Sequence, residues 1–297
     1  MVNHRVCPLC LSDKKVLHLR CMDHLVSHEE FDIYKCGSCG FTFTDNYPDE
    51  SEIGRFYESS DYISHDDNAR GFINKVYFLA RSLMLGRKRR AITKMTGRKT
   101  GRLLDIGCGT GYFPGMMKDY GWEVTGVEPN IKARDYARTS FGIEVIDPGQ
   151  ISSLISASYD CITLWHTLEH FHDPRSYAGE IRRLLSPEGI CLVAIPNCNS
   201  YDALYFGKFW AAWDVPRHLW HFDPETFSLF AEKAGFRIVT TLALPLDVFY
   251  ISILSFRNKA SGIPFIKGIV TGLWFFIRSL FRRDKGSSLI YILRRKH

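Results

Sequence analysis

The chain has 297 residues, 45% of them hydrophobic and 24% charged, a composition that fits one large α/β domain with small additions and excludes a disordered protein. The first twenty residues lack the apolar core of a signal peptide, and no uncharged apolar run reaches the roughly 18 residues of a membrane span, so we expect a cytoplasmic protein. The formal net charge is +6, but ten Lys or Arg and a single acid follow residue 256, so the basic excess lies in a tail that suits an anionic partner.

Residues 1–45 are rich in Cys and His, and they contain two Cys-x-x-Cys pairs. In a chain without an export signal, cysteines favour metal ligands or core thiols over disulfides. The four thiols of Cys7, Cys10, Cys36 and Cys39 have the spacing of a closed structural zinc site. We therefore predict a zinc-ribbon-like module. It has too few basic residues to bind along a nucleic-acid backbone, so we expect it to dock on the rest of the chain or to cover its substrate pocket.

Residues 46–98 have a mostly helical pattern of apolar residues. We expect this segment to form a lid or linker beside the ligand site, with Tyr57, Tyr62 and His65 as its polar contacts. From residue 99 to the end, short apolar runs alternate with helical stretches, which is typical of a doubly wound α/β sheet with crossover helices. The predicted strands are Arg102–Ile106, Glu123–Val127, Ile143–Ile146, Tyr159–Leu164, Gly189–Ile195, Phe236–Ala243 and Ser288–Leu293.

A glycine-rich loop follows the first of these strands, with the sequence Asp-Ile-Gly-Cys-Gly-Thr-Gly from Asp105 to Gly111. Glycines at alternate positions let the backbone turn tightly and approach a ligand. The helix predicted at Phe113–Tyr120 offers unpaired N–H groups to an anionic group. The next strand ends in Glu128, an acid that suits the two hydroxyls of a ribose. Tyr112 interrupts the Gly-x-Gly-x-x-Gly frame of dinucleotide-binding proteins.

This pattern resembles motif I of class I S-adenosylmethionine-dependent methyltransferases, and the resemblance extends from about residue 102 to 236. It implies a seven-stranded sheet of order 3-2-1-4-5-7-6 with the last strand antiparallel. It also implies that S-adenosylmethionine is the cofactor, with Gly107, Gly109 and Gly111 around its methionine part, Asp105 on its ammonium side and Glu128 on its ribose. Asp147 or Gln150 stands where the adenine amino group is usually bound.

The fourth strand leads into Leu164 and Trp165, which we expect beside the cofactor, and then into His-x-x-Glu-His. The latter resembles the Glu-x-x-Glu-His of ubiquinone-biosynthesis O-methyltransferases, with His166 in place of the first Glu. Three roles are open for His166, Glu169 and His170: they order the loop, one histidine is a general base, or they hold a divalent cation. His166 and His170 are therefore catalytic candidates.

A third candidate, His218, lies in Asp-x-Pro-Arg-His-x-x-His-Phe at residues 214–222. This segment resembles one found in a bacterial methyltransferase subfamily tied to surface-polysaccharide, lipid and natural-product pathways. The resemblance implies an acceptor wall and a small-molecule, sugar or lipid-linked glycan acceptor. The alternatives are an RNA- or protein-directed methyltransferase and a cofactor-binding module without catalysis. Nucleic acid is disfavoured because the Asn-Pro-Pro-Tyr motif of amino-methylating enzymes is absent.

The last two strands are separated by an apolar and basic insertion at 248–286. We predict a helix that starts at Pro264 and ends near Gly286, with a cationic stripe opposite a broad apolar face. Such a helix suits an anionic membrane surface through residues 263–285, which would place the protein on the inner face of the membrane. The alternative is that the apolar face packs on the protein itself or on a second subunit of a homodimer.

Overall fold

The computed structural model describes residues 1–58 and 72–296, with side chains for 1–58 and 81–296. Two of the expected lid residues, Tyr62 and His65, lie outside the described residues. The strands are β1 (Lys15–Met22), β2 (Glu30–Cys36), β3 (Thr42–Asp45), β4 (Arg102–Ile106), β5 (Glu123–Val127), β6 (Glu144–Ile146), β7 (Tyr159–Trp165), β8 (Leu185–Pro196), β9 (Trp220–His221), β10 (Phe236–Ala243) and β11 (Ser288–Arg295).

The larger sheet has seven strands in the order β10-β11-β8-β7-β4-β5-β6. Strand β11 is antiparallel to both neighbours, and the pairs from β8 to β6 are parallel. The predicted strand order and the antiparallel last strand are confirmed. The central strands β4 and β7 are buried or half-buried along their whole length because helices cover both faces of the sheet.

The helices in the described ranges are α1 (Phe72–Thr96), α2 (Tyr112–Asp119), α3 (Ile131–Phe141), α4 (Pro174–Leu184), α5 (Tyr201–Phe206), α6 (Pro224–Lys233), α7 (Asp247–Asn258) and α8 (Pro264–Phe281). Local sequence explains several of their starts. The Asn130 side chain accepts the first N–H groups of α3, and Asp173 does the same for α4, where Pro174 occupies the first turn.

A second sheet joins the N-terminal segment to the methyltransferase-like part of the chain. Its order is β1-β2-β3-β9, and β9 comes from the Asp-x-Pro-Arg-His-x-x-His-Phe segment. Thr42 pairs with His221 and Phe43 with Trp220 across this junction. Buried residues of both sheets form one continuous hydrophobic core. The four-cysteine segment is therefore built onto the rest of the chain and shares its core.

The insertion before the last strand forms a hairpin of two helices, α7 and α8, where the sequence pattern predicted one. Helix α8 begins at Pro264 as expected but ends at Phe281. Gly268 and Gly272 let the two helices approach closely: a Cβ at Gly268 would lie 2.6 Å from Cα of Ile253. Among the described residues, α8 is the one helix long and apolar enough, by length and composition, to cross a membrane, although Lys267 and Arg278 interrupt it.

Candidate active site

The glycine loop between β4 and α2 has the backbone geometry that its sequence predicts. Gly107, Gly109 and Gly111 all have positive φ angles, of 76°, 54° and 85°. A Cβ at Gly107 would overlap the Thr167 side chain, and one at Gly111 would lie 2.6 Å from Cβ of Ala137. At Gly109 a Cβ would meet nothing within 4 Å. The outer two glycines thus serve packing, and the middle one borders open space in which a ligand fits.

Two buried acids flank this loop. Asp105 accepts a hydrogen bond of 2.6 Å from the Thr163 hydroxyl, and burial raises the pKa of Asp105 to about 7. The two carboxylate oxygens of Glu128 accept N–H groups from Gly109 and Asn130, each at 2.9 Å. Burial raises the pKa of Glu128, and these two hydrogen bonds oppose the shift. The loop and both acids fit the methionine part and ribose of S-adenosylmethionine.

The other predicted cofactor residues have mixed placements. Asp147 accepts N–H groups from Gly149 and Arg134, and the Gln150 side chain accepts the backbone N–H of Asp147, so both residues are engaged in one capped turn. Leu164 is fully buried in the core, which leaves only its backbone for a ligand. Trp165 is half-buried and packs edge-on against Phe113 at the start of α2, next to the glycine loop.

Lys88 reaches the same region from α1, a placement that no local sequence pattern indicates. Its ammonium nitrogen lies 4.3 Å from the centre of the Trp165 ring. Burial lowers the pKa of Lys88, whereas the charges of Asp105 and Asp247 oppose that change. Helix α1 therefore adds a cation between the cofactor loop and the insertion.

His166 is bound on both sides by carboxylates. Its Nε2 lies 2.9 Å from Oδ2 of Asp247, at the start of α7, and its Nδ1 lies 3.5 Å from Oε1 of Glu169. Burial opposes the charged ring, but these two carboxylates outweigh it and raise the pKa of His166 to about 9. His166 is therefore protonated at neutral pH, so it is unsuited to accept a proton from a substrate.

His170 and His218 form a different arrangement. Their rings meet edge-on with centroids 4.6 Å apart. Nδ1 of His170 lies 3.0 Å from the Arg217 carbonyl oxygen and from the Tyr57 hydroxyl, and Nδ1 of His218 lies 2.9 Å from the Ala212 carbonyl oxygen. Because a carbonyl only accepts, each Nδ1 carries the hydrogen, and Nε2 of each ring is left to accept one when the ring is neutral. Burial lowers the pKa of His170 to about 4.

Glu169 completes this group. Its side chain is 1% exposed, and its Oε1 forms the ion pair of 3.5 Å with Nδ1 of His166. In the part of the chain that the structure describes, neither carboxylate oxygen accepts a hydrogen bond. Burial raises the pKa of Glu169, but the neighbouring histidines reverse the shift and lower it, so the carboxylate is ionised. One donor atom each from Glu169, His170 and His218 lies within 4.8 Å of the others, a set that could hold a divalent cation as well as a proton.

Two other donors of the predicted acceptor wall bind the N-terminal sheet instead. Arg217 is 1% exposed; its guanidinium binds Asp214, Asp23 and the Phe56 carbonyl. The His221 ring lies 2.9 Å from the Thr44 hydroxyl. The neighbouring aromatics Trp210 and Trp213 are buried in the core. His218 is thus the histidine that this segment contributes beside Glu169 and His170, and its Nε2 lies 3.9 Å from Oδ2 of Asp214.

The four cysteines of the N-terminal segment converge as predicted. The Sγ atoms of Cys7 and Cys39 are 3.7 Å apart, those of Cys10 and Cys36 are 3.5 Å apart, and all four lie within 4.8 Å of one another. Four sulfurs bound to zinc at about 2.3 Å have edges of about 3.8 Å in a tetrahedron. The cluster is therefore compatible with a zinc site. The Ser38 N–H donates a hydrogen bond to Cys36 Sγ at 3.4 Å, a contact of the kind that surrounds thiolate ligands.

The sheet order, the glycine loop and the two acids define a class I S-adenosylmethionine-dependent methyltransferase. A family model described as a methyltransferase domain matches residues 78–241, more than half of the chain, and the chain belongs to this family. A protein of Mycolicibacterium smegmatis described as an S-adenosylmethionine-dependent methyltransferase is 26% identical over 157 residues, which are 51% of this chain and 58% of that protein.

Ubiquinone biosynthesis O-methyltransferases are also similar. The protein of Caulobacter sp. is 32% identical over 117 residues, or 37% of this chain and 46% of its own length. The chain thus spans about half the length of the curated relatives it matches. A solved methyltransferase structure from Galdieria sulphuraria superposes with a TM-score of 0.51 at 17% identity, covering 72% of this chain and 86% of that one, which shows the fold.

Proposed function

We propose that the chain transfers the methyl group of S-adenosylmethionine to a hydroxyl oxygen of an acceptor bound at the carboxyl ends of β7 and β8. The observation that carries the proposal is the group Glu169, His170 and His218 beside the cofactor loop. Thr167, two residues before Glu169, lies against Gly107 of the cofactor loop. An oxygen acceptor is favoured because an alcohol must lose a proton during transfer and this group can receive one. The O-methyltransferases among the relatives support the same choice.

The bound cofactor supplies an electrophilic methyl group on a sulfonium. The protein's contribution is to hold the methionine part on the glycine loop and the ribose on Glu128, which aligns the methyl group with the acceptor. The buried surroundings of Asp105 and Trp165 exclude water from this side of the cleft. Alignment and exclusion of water are the main sources of rate in this proposal.

The proton passes from the acceptor hydroxyl to Nε2 of His218 as the new O–C bond forms and the C–S electron pair returns to sulfur. Glu169 stabilises the resulting imidazolium, because its ionised carboxylate is buried within 4.8 Å. His170 orients the His218 ring by edge-on contact. His166, already protonated and paired with Asp247, is a positioning residue for Glu169.

We propose a small molecule, a sugar or a lipid-linked glycan as the acceptor. An RNA- or protein-directed enzyme is the second candidate, but the basic excess of the sequence lies after residue 256. A cofactor-binding module without catalysis would need the glycine loop, but it would not need the group of Glu169, His170 and His218 as well. Transfer of a labelled methyl group to a panel of nucleotide sugars and lipid-linked sugars identifies the acceptor.

The test of the proposed base is His218→Ala. With any acceptor that the panel identifies, we expect kcat to fall by about 10²–10⁴-fold while S-adenosylmethionine affinity stays within about twofold. His172→Ala is the matched control, because that ring binds the Pro48 carbonyl outside the group and should leave kcat unchanged. A chelator should not lower wild-type kcat. Wild-type turnover in His218→Ala rejects the base, and a loss on chelation in a protein that keeps the zinc of its four cysteines assigns the group to a cation.

We also propose that Cys7, Cys10, Cys36 and Cys39 hold one structural zinc ion. The support is the convergence of four thiols in a segment that carries the first three strands of the N-terminal sheet. Elemental analysis should find one zinc per chain, lost in Cys36→Ser/Cys39→Ser. Cys198→Ser, whose thiol binds the His221 carbonyl away from the cluster, should keep the zinc. A wild-type protein purified without zinc, or a full complement in the double variant, rejects the site.

A further inference from the structure

Helix α8 turns an entirely apolar face away from the protein. Its contacts with the rest of the chain run along one narrow stripe, centred on Gly268, Gly272 and Phe275, which are its buried residues. At 100° per residue, Lys267 lies at one edge of the opposite half of the helix, and the other residues of that half are large apolar side chains. They are between 39% and 63% exposed up to Leu280, and Phe281 is 83% exposed. The residues of this outward face are Ile266, Ile269, Val270, Leu273, Trp274, Ile277, Leu280 and Phe281.

Neighbouring elements extend the same surface. Leu204 and Tyr205 of α5 are 64% and 50% exposed, and the Tyr205 ring meets the Trp274 ring with centroids 6.4 Å apart. Monomeric soluble proteins rarely expose so many large apolar side chains together, so this face has a partner. Exposed Trp and Tyr beside aliphatic residues are typical of the boundary between lipid tails and headgroups.

Basic side chains border the apolar face. Lys267 and Arg278 lie along one edge of α8, and the Arg278 guanidinium stacks on the Tyr201 ring at 4.0 Å from its centre. Arg257 lies in the last turn of α7 and Lys259 follows it, whereas Arg282, Arg283 and Lys285 follow α8. Asp284, which pairs with Arg282, is the single acid after α7 in the sequence. The charge around this surface is thus strongly positive and complements an anionic partner.

We propose that the α7–α8 hairpin docks the protein on an anionic lipid surface, with α8 lying in the plane of the interface. A single interfacial helix combines an apolar face that enters the acyl region with cations that reach lipid phosphates. Helix α8 cannot leave the protein to cross the bilayer without losing its close contact with α7 at Gly268 and Gly272. A flat orientation keeps that contact and presents the whole outward face.

The hairpin also connects this surface to the catalytic centre, because Asp247, the first residue of α7, binds His166. Docking would therefore hold the acceptor site close to the lipid surface. The inference goes beyond the proposed methyl transfer and does not depend on it, because lipid binding is measured without any acceptor. Failure of either proposal leaves the other standing.

Flotation with vesicles tests the proposal on the full chain. Wild type should float with vesicles that contain phosphatidylglycerol about tenfold more than with phosphatidylcholine alone, and high salt should reduce the difference. Ile266→Glu/Ile277→Glu should remain unbound. Val16→Glu/Ile155→Glu is the matched control, because these two apolar residues are at least as exposed but lie outside α8, and their replacement should not affect flotation. All variants should keep wild-type S-adenosylmethionine affinity.

Two results would overturn the proposal. In the first, wild type stays at the bottom with phosphatidylglycerol vesicles, an outcome that no folding defect of a variant can explain. In the second, light scattering shows a wild-type dimer that Ile266→Glu/Ile277→Glu converts to a monomer, and vesicles bind neither protein. The face would then be an interface between two copies of the chain.

Discussion

The two walls of the proposed active site are built in different ways. The cofactor wall comes from one continuous stretch, from Asp105 to Glu128, and it depends on backbone angles and on space left by glycines. The acceptor wall is assembled from segments far apart in the chain, around His166, Arg217 and Asp247, and it depends on buried charges that pair across them. A wall of the first kind can be recognised from a short motif, whereas a wall of the second kind exists only in the folded chain.

Arg217 should give the largest stability effect, because it joins the acceptor wall to the N-terminal sheet. Arg217→Met leaves Asp23 buried without its guanidinium partner, and we expect a loss of about 3–5 kcal/mol in the free energy of unfolding. Urea unfolding measures the change. The control Arg20→Met removes an exposed ion pair with Asp32 and should leave the free energy of unfolding unchanged. A loss in Arg217→Met no larger than in the control would show that the two parts of the chain are held together by other contacts.

The cofactor wall should respond to the position of each glycine. Gly111→Ala forces a Cβ to within 2.6 Å of Ala137 at a φ of 85°, and we expect a loss of about 2–3 kcal/mol in the free energy of unfolding. In Gly109→Ala the new Cβ meets open space, so the only cost is that of a left-handed backbone for alanine. We expect the free energy of unfolding to fall by about 1 kcal/mol. Equal losses in the two variants would contradict the distinction between a packing glycine and a ligand-facing one.

The smallest effect concerns the pH dependence of the acceptor wall. The pKa of His166 is raised from 6.5 to about 9, so the stability it contributes is fully present below pH 6.5 and is lost as pH rises through 9. The pKa of its partner Asp247 is lowered, so that carboxylate's contribution is present above 3.8 and lost as pH falls through its folded value. The ring is about one-third exposed, and after solvent screening we expect about 1 kcal/mol.

Unfolding free energies of wild type and His166→Gln, measured from pH 6 to above 9, check this expectation. The difference between the two proteins should shrink as pH rises through about 9. The same contribution from His166 at both ends of this range would mean that the ring is not held as a cation by Asp247 and Glu169.

The same contrast explains what the sequence could predict. Strands β4, β5 and β10 begin and end where the apolar runs do, because local alternation and turn residues define them. The two-residue strand β9 has no local signal, since it exists only through pairing with β3. The sequence therefore predicts a zinc module at residues 1–45, but it does not predict the sheet that this module forms with β9 of residues 214–222.

Two residues of the site could not be predicted because their partners lie far away in the sequence. Asp247 follows a strand as an ordinary loop acid, and Lys88 is one of several basic residues in a long helix. Gly268 and Gly272 have low intrinsic helix propensity, so they disfavour a helix prediction, yet they are the residues of α8 that approach α7 most closely. Their spacing of four in an apolar segment is a known signal of close helix packing, and it could have predicted the hairpin.

Calorimetry with S-adenosylmethionine tests the central claim, that the glycine loop and Glu128 form the cofactor site. Wild type should bind one equivalent and show no binding of NAD. Gly109→Arg should abolish binding, because its side chain would fill the open space beside the loop. Equal affinity for NAD, or unchanged S-adenosylmethionine binding in a folded Gly109→Arg variant, would contradict the account.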